Sequence, residues 1–317
     1  MGTTVTAVIV RILPVLIILA IGNVIRARRM LSAQSADELR GIVVNVALPA
    51  VLFVAFLDMD LDAAYLGLFV TIAIACFLLL GYGFLLRRLA GIDHDYFPYV
   101  MTGFEFGMVG ITLFGSAYSL ANVGYIAIVD LSHELFIWFV LATLLAAKRD
   151  GRTSLRSVVR GFATSPLIIA ILAALILNLS GAADWFAQMP VGSALMQTFD
   201  FLGGLLIPLI LILIGYGMHL TWSGIVASLG VVERRLAVIV QAARAINALV
   251  IRRWLGLDPA FEVALFTFFI LPPPYIVPLF MPADRTAERV YVNNVLSVYT
   301  AVSLVIFIVY FAVNPLL

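Results

Sequence analysis

Three groups of residues in this chain carry side chains able to do chemistry inside an otherwise apolar sequence. Glu105 stands in TGFEFGMVGITLFG, surrounded by Gly103, Gly107, Gly110 and Gly115. Asp130, His133 and Glu134 stand in IVDLSHELF. Their offsets of three and four residues place them on one face of a helix. Arg244 is the basic residue expected deep within the second half. Ionisable groups in an apolar segment are costly and default to a functional reading. Glu105 reads as a proton-carrying group beside a substrate, as a cation ligand, or as a structural hydrogen-bonding side chain. The Asp130, His133 and Glu134 face reads as a proton relay or cation site, or as an internal network with Arg244. Arg244 reads as the partner in that network or as a direct anion ligand. The spacing does not fit the His-Glu-x-x-His zinc pattern, which excludes a metal hydrolase. The sequence has no nucleophile–base arrangement, phosphate-cradling loop or metal cluster, so an enzyme is not expected and no cofactor is implied.

The element that must position these groups is Phe268–Met281, FFILPPPYIVPLFM. Pro272, Pro273, Pro274 and Pro278 interrupt it, and proline supplies no backbone N–H and clashes with the preceding turn. In lipid, freed backbone groups survive only when packed in protein or lining a wet cavity. A broken span is therefore a candidate binding site.

Sixty-three per cent of the residues are apolar, which is above soluble domains and predicts a multi-pass membrane protein. The net charge of +1 gives no reason to expect nucleic acid. The single cysteine, Cys76, reads as a buried thiol, and the first apolar run reads as a span, not a cleaved signal. A span needs about 20 mostly apolar residues. Ten candidates result: 6–25, 41–57, 64–86, 97–116, 122–147, 164–181, 197–217, 235–255, 260–281 and 291–314. Leu220–Val232 is short for a crossing and reads as an interfacial piece. Most of the 19 basic residues fall in the connections after the odd-numbered spans: Arg26, Arg28, Arg29 and Arg40; Arg87 and Arg88; Lys148, Arg149, Arg152, Arg156 and Arg160; Arg234 and Arg235; Arg285 and Arg289. The connection after the second span is acidic, with Asp58, Asp60 and Asp62. By the positive-inside rule the basic connections are cytoplasmic and both termini are non-cytoplasmic.

The fold class expected is an all-α membrane protein of ten transmembrane helices in two inverted five-helix repeats. The first repeat is 1–147, the basic linker 148–163, and the second repeat 164–317. Landmarks match between halves: Pro49 in the second span and Pro208 in the seventh, the glycine-rich fourth span and the proline-broken ninth. Broken helices 4 and 9 are expected to meet near the midplane. Half-helix N-termini there favour a carboxylate, and loose carbonyls favour a cation. The substrate-binding set expected at this crossing is Glu105, Phe106, Gly107, Gly110, Pro272, Pro273, Pro274 and Tyr275, with Asn45, Asn293 and Asn294 approaching it. The ion-coupling set is Glu105, Asp130, His133, Glu134 and Arg244.

Three stretches resemble the auxin efflux carrier family, within the wider group of bile-acid, arsenite and riboflavin transporter-like proteins. The opening RILPVLIILAIGNVIRARRMLSAQSADELRGIVVNVALPAVLF holds Asn45 and Pro49 in the family's N-x-x-x-P arrangement. GGLLIPLILILIGYGMHL is similar to its Pro-then-Gly helix, and EFGMVGIT aligns with its N-x-G-[YF]-I-G-x-P. Glu105 stands where the family has Asn, Thr112 where it has Pro, and Pro-Pro-Pro-Tyr where one Pro is usual. The resemblance covers essentially the whole chain. It implies a scaffold domain from spans 1, 2, 6 and 7, a transport domain from the rest, an elevator or rocking motion, and a homodimer through scaffold helices. The function expected is secondary-active transport of a small organic anion in the cell membrane, with H+ or Na+ as coupling ion. The alternatives are a sodium-coupled carrier of bile-acid-like or neutral solutes, and a membrane receptor that binds without turnover. The partners are the substrate and membrane lipid.

Overall fold

The computed structural model describes residues 2–150, 155–218, 221–282 and 284–315, and among them every regular element is helical. Arg152, His219 and Leu220 lie outside the described residues, as does the side chain of Arg11. In chain order the elements are α1 (Gly2–Ala27), α2 (Ala33–Leu57), α3 (Tyr65–Leu89), the short α4 (Phe97–Val100), α5 (Phe106–Tyr118), α6 (Leu120–Arg149), α7 (Leu155–Ala163), α8 (Pro166–Leu179), α9 (Ala183–Gln188), α10 (Pro190–Gly217), α11 (Trp222–Ile246, continued by a wide turn through Asn247–Leu255), α12 (Pro259–Phe269) and α13 (Thr286–Val313). A single 3-10 turn, Val277–Phe280, follows α12. Five of these helices, α2, α3, α6, α10 and α13, are long and apolar enough to cross a membrane.

Proline and glycine set the local geometry. Pro49 cannot close the turn behind it, and the preceding residues, Val43–Ala47, relax into a wide turn. Asn45 Nδ2 donates to Gly41 O at 2.8 Å within that segment. Gly22 and Gly215 let α1 and α10 touch backbone to backbone: a Cβ on Gly22 would lie 2.2 Å from Ile212 O, and one on Gly215 2.1 Å from Leu19 O. Side chains close the helix ends. Arg26 donates to Tyr216 O and Met218 O at the end of α10, and Asn178 of α8 donates to Phe56 O, Leu57 O and Met59 O at the end of α2.

Packing sorts the helices into two neighbourhoods. In one, α1 lies on α10 and α2 on α8 and α10; in the other, α3 lies on α6, α6 on α12, and α11 on α13.

Several element ends differ from the sequence expectation. Trp222–Val232 is no separate interfacial piece but the first third of α11, which runs unbroken through the expected start at 235. Likewise α10 begins at Pro190 and α13 at Thr286. In each case the added turns are amphipathic or polar, so an apolar-run criterion begins the helix too late.

Candidate functional site

The fourth and ninth apolar segments are both interrupted. The first break lies between the end of α4 at Val100 and the start of α5 at Phe106. Gly103 within it adopts φ +69°, a conformation glycine takes without Cβ strain. The second break follows α12, where Pro272, Pro273 and Pro274 prevent continuation.

The two breaks touch. Glu105 N donates to Pro272 O at 2.8 Å, and Tyr275 N donates to Glu105 Oε2 at 2.7 Å. A Cβ on Gly103 would lie 2.6 Å from Pro274 Cγ, so only glycine fits under the proline ring. Glu105 Oε1 also accepts from Met108 N at 3.3 Å, capping the first turn of α5. Both oxygens of one carboxylate are thus occupied by backbone amides, one from each broken segment.

The other freed backbone groups are also met by side chains. Phe104 N donates to His133 Nε2 at 2.9 Å. Nε2 must then be the bare nitrogen, so Nδ1 carries the proton and donates to Asp130 Oδ1 at 2.8 Å. Asp130 and His133 are buried. Glu134, beside them, accepts from Trp138 Nε1 at 2.8 Å. Ser303 Oγ donates to Ile270 O at 2.6 Å. Arg235 is 0 % exposed; its guanidinium donates to Gly103 O from one break and to Leu271 O from the other, the latter at 3.2 Å. The same guanidinium lies over the rings of Tyr299 and Phe104, 4.5 and 5.2 Å from their centroids.

These distances place the expected site residues individually. Glu105, Phe106, Gly110, Pro272, Pro273, Pro274 and Tyr275 gather at the crossing; Gly110 faces Leu271, and Tyr275 Oη pairs with Thr300 Oγ1 at 2.8 Å. Gly107 faces Leu48 of α2. Asn45 is exposed and its amide is committed to its own helix. Asn293 is exposed and Asn294 lies against Gly224, because α13 reaches the crossing about two turns later, through Tyr299, Thr300 and Ser303. Arg244 is exposed, and the buried arginine is Arg235 instead. Sequence reading missed Arg235 because Glu233-Arg234-Arg235 resembles a charged connection. The available signal was periodicity: Ser228, Val231, Val232, Arg235, Ile239 and Ala243 form one buried stripe on α11.

Ligand atoms of Asp130, His133 and Glu134 lie within 4.8 Å of one another, a spacing compatible with a metal ion. Both His133 ring nitrogens are already bonded, however, so Asp130 and His133 work as an orienting pair for Phe104 N. A separate cavity of about 500 Å³ lies at the far end of α2, α6 and α10, lined by Asp58, Asp60, Tyr65, Tyr125, Phe199, Asp200 and Phe261 among others. Burial, then Asp184 and Asp200, raise the Asp58 carboxyl above its ordinary value. This mouth is acidic, whereas the crossing is held by backbone amides and Arg235. No family model matches the chain, and no curated protein sequence matches it.

Proposed function

We propose that the chain is a secondary-active carrier of small organic anions, of the auxin efflux carrier type, with ten spans in two inverted five-helix repeats. The observation that carries this reading is the contact between two interrupted helices, one in each half of the chain. Broken helices that meet inside a membrane protein bring amide-bearing N-termini to one point, where a carboxylate is favoured. The packing of α1, α2, α8 and α10 supports a scaffold, and that of α3, α6, α11, α12 and α13 supports a moving unit around the crossing.

Glu105 gives the reading a mechanism. Its carboxylate occupies the amides of Met108 and Tyr275 as an internal anion. Protonation turns one acceptor oxygen into a donor and releases an amide, which a substrate carboxylate then takes. One proton thus accompanies one anion. In proteoliposomes, uptake of a mono- or dicarboxylate is expected to rise with an inward proton gradient, and Glu105→Gln to flatten its pH dependence. An unchanged pH profile in that variant removes Glu105 as the coupling group. Binding without accumulation would favour the receptor alternative.

A second reading has the acidic outer mouth behind it: carboxylates at Asp58, Asp60 and Asp200 suit a cation-coupled carrier of neutral or bile-acid-like solutes. Replacing sodium by choline separates the two, since only the second loses uptake.

A further inference from the structure

Where two helices break and cross, four loose ends result, and the carbonyl ends form a place for a cation. In this chain that place is filled from within. Arg235 reaches in from the middle of α11 and binds one carbonyl from each break, Gly103 O and Leu271 O. Its charge lies over the rings of Tyr299 and Phe104 and is wholly buried. A planar guanidinium suits such a slot better than an ammonium, because it directs two N–H groups at two acceptors while its faces stack on rings. The carboxylates of the crossing and its histidine network are engaged elsewhere: Asp130 accepts from His133 and Glu105 from two amides. The partners of Arg235 are therefore carbonyl dipoles and π faces, the ligands otherwise offered to a bound cation.

The geometry points to Arg235 as the resident cation of the crossing: a tethered guanidinium filling a monovalent-cation site built from the carbonyl ends of both broken helices. Removal of the side chain opens a site of guanidinium shape and chemistry. Two consequences follow. The intact protein has no room at this point for a free cation, so sodium and potassium do not bind at the crossing. A small guanidinium compound supplied from solution refills the emptied slot. The sodium consequence deepens the carrier reading; the refilling consequence needs only the crossing itself.

The test is thermal unfolding of the purified full chain in detergent, with the salt concentration held constant by choline. With Asp58 and Asp200 replaced by Asn to silence the acidic cavity, a protein that keeps Arg235 is expected to show no saturable stabilisation on replacing choline by sodium or potassium. Arg235→Ala is expected to unfold at least about 5 °C lower, since two buried carbonyls lose their donor. Millimolar methylguanidinium is expected to restore a good part of that loss saturably, and to do nothing for wild type or for Arg244→Ala. Should Arg235→Ala not be obtained folded, Arg235→Lys serves: it keeps the charge but reaches two carbonyls poorly, and it is expected to unfold earlier than wild type and, with Asp58 and Asp200 silenced, to remain sodium-independent. Saturable sodium stabilisation that persists when Asp58 and Asp200 are both replaced by Asn, with Arg235 kept or changed to Lys, overturns the proposal. So does an Arg235→Ala protein that is as stable as wild type or is indifferent to methylguanidinium. These readouts involve no substrate, so a failure to transport carboxylates leaves them intact and counts only against the carrier reading.

Discussion

The backbone amide of Phe104 is freed by the first break, and its acceptor is a histidine ring held by an aspartate. The spacing of Asp130 and His133 announced a shared helical face, which the structure bears out. It could not announce that the face receives a main-chain N–H from a segment 29 residues away, since nothing in the spacing names a partner. This arrangement makes a prediction that separates positioning from ion coupling. In Asp130→Asn the side-chain carbonyl still accepts from His133 Nδ1, so a loss of less than about 1 kcal/mol is expected. His133→Ala leaves Phe104 N without an acceptor and Asp130 without a partner, and a loss of about 3–5 kcal/mol is expected. Denaturant or thermal unfolding of both variants at one pH checks the difference. Equal damage from the two would mean that the negative charge of Asp130 matters in itself. Arg235 was illegible for a related reason: three consecutive charges read as a loop until the buried stripe around them is seen.

Among elements, the legible features were those that proline enforces. The triple proline announced the second break, and glycine density announced the first, where Gly103 is now seen to sit under Pro274. Helix starts were less legible, because α10, α11 and α13 begin with turns whose exposed faces are polar. Helix pairing was not legible, since one greasy surface resembles another and lipid offers no hydrophobic preference between them. The close contact of α1 with α10 is an example, resting on Gly22 and Gly215. Gly22→Ala would drive a methyl into Ile212 O, and a loss of about 1–3 kcal/mol is expected. Gly81, in α3, has nothing within 4 Å of its would-be Cβ. Gly81→Ala is therefore expected to be neutral or to stabilise by up to about 1 kcal/mol, through helix propensity alone. Unfolding of the two variants side by side distinguishes a packing requirement from a general intolerance of alanine.

For the whole molecule, composition alone made the membrane reading, and five helices have the length and apolarity for it. The basic connections also find a physical use. Asp95 meets Arg87 at 2.6 Å, and Lys148 and Arg285 each at 3.6 Å, tying together the ends of α3 and α6 and the approach to α13. Burial alone would raise the Asp95 carboxyl, but Lys148, Arg87 and Arg285 outweigh it and hold it below its ordinary value. A carboxylate depressed in the folded state adds stability above its unfolded pKa, about 3.9, and loses it as pH falls through the folded value. Asp95→Asn is thus expected to be less stable than wild type at pH 7, by a margin that shrinks with salt and closes as pH falls through the folded value. The cluster lies within the α3, α6 and α13 neighbourhood, so it stiffens that unit without tying it to α1, α2, α8 and α10. If the proposed transport proceeds by one unit sliding on the other, a clamp between them must stop it. Ala55 of α2 and Gly124 of α6 lie close across the boundary: a Cβ on Gly124 would come 3.6 Å from Ala55 O and 2.6 Å from Met59 Cε, the far end of a flexible side chain that can shift. Cys76 is the only native thiol and is buried, so Ala55→Cys with Gly124→Cys provides a selective pair. Joining the pair with a short bifunctional thiol reagent is expected to abolish uptake in proteoliposomes while leaving each single variant active. Full uptake by completely joined protein would mean that the two neighbourhoods do not move apart at this boundary during turnover.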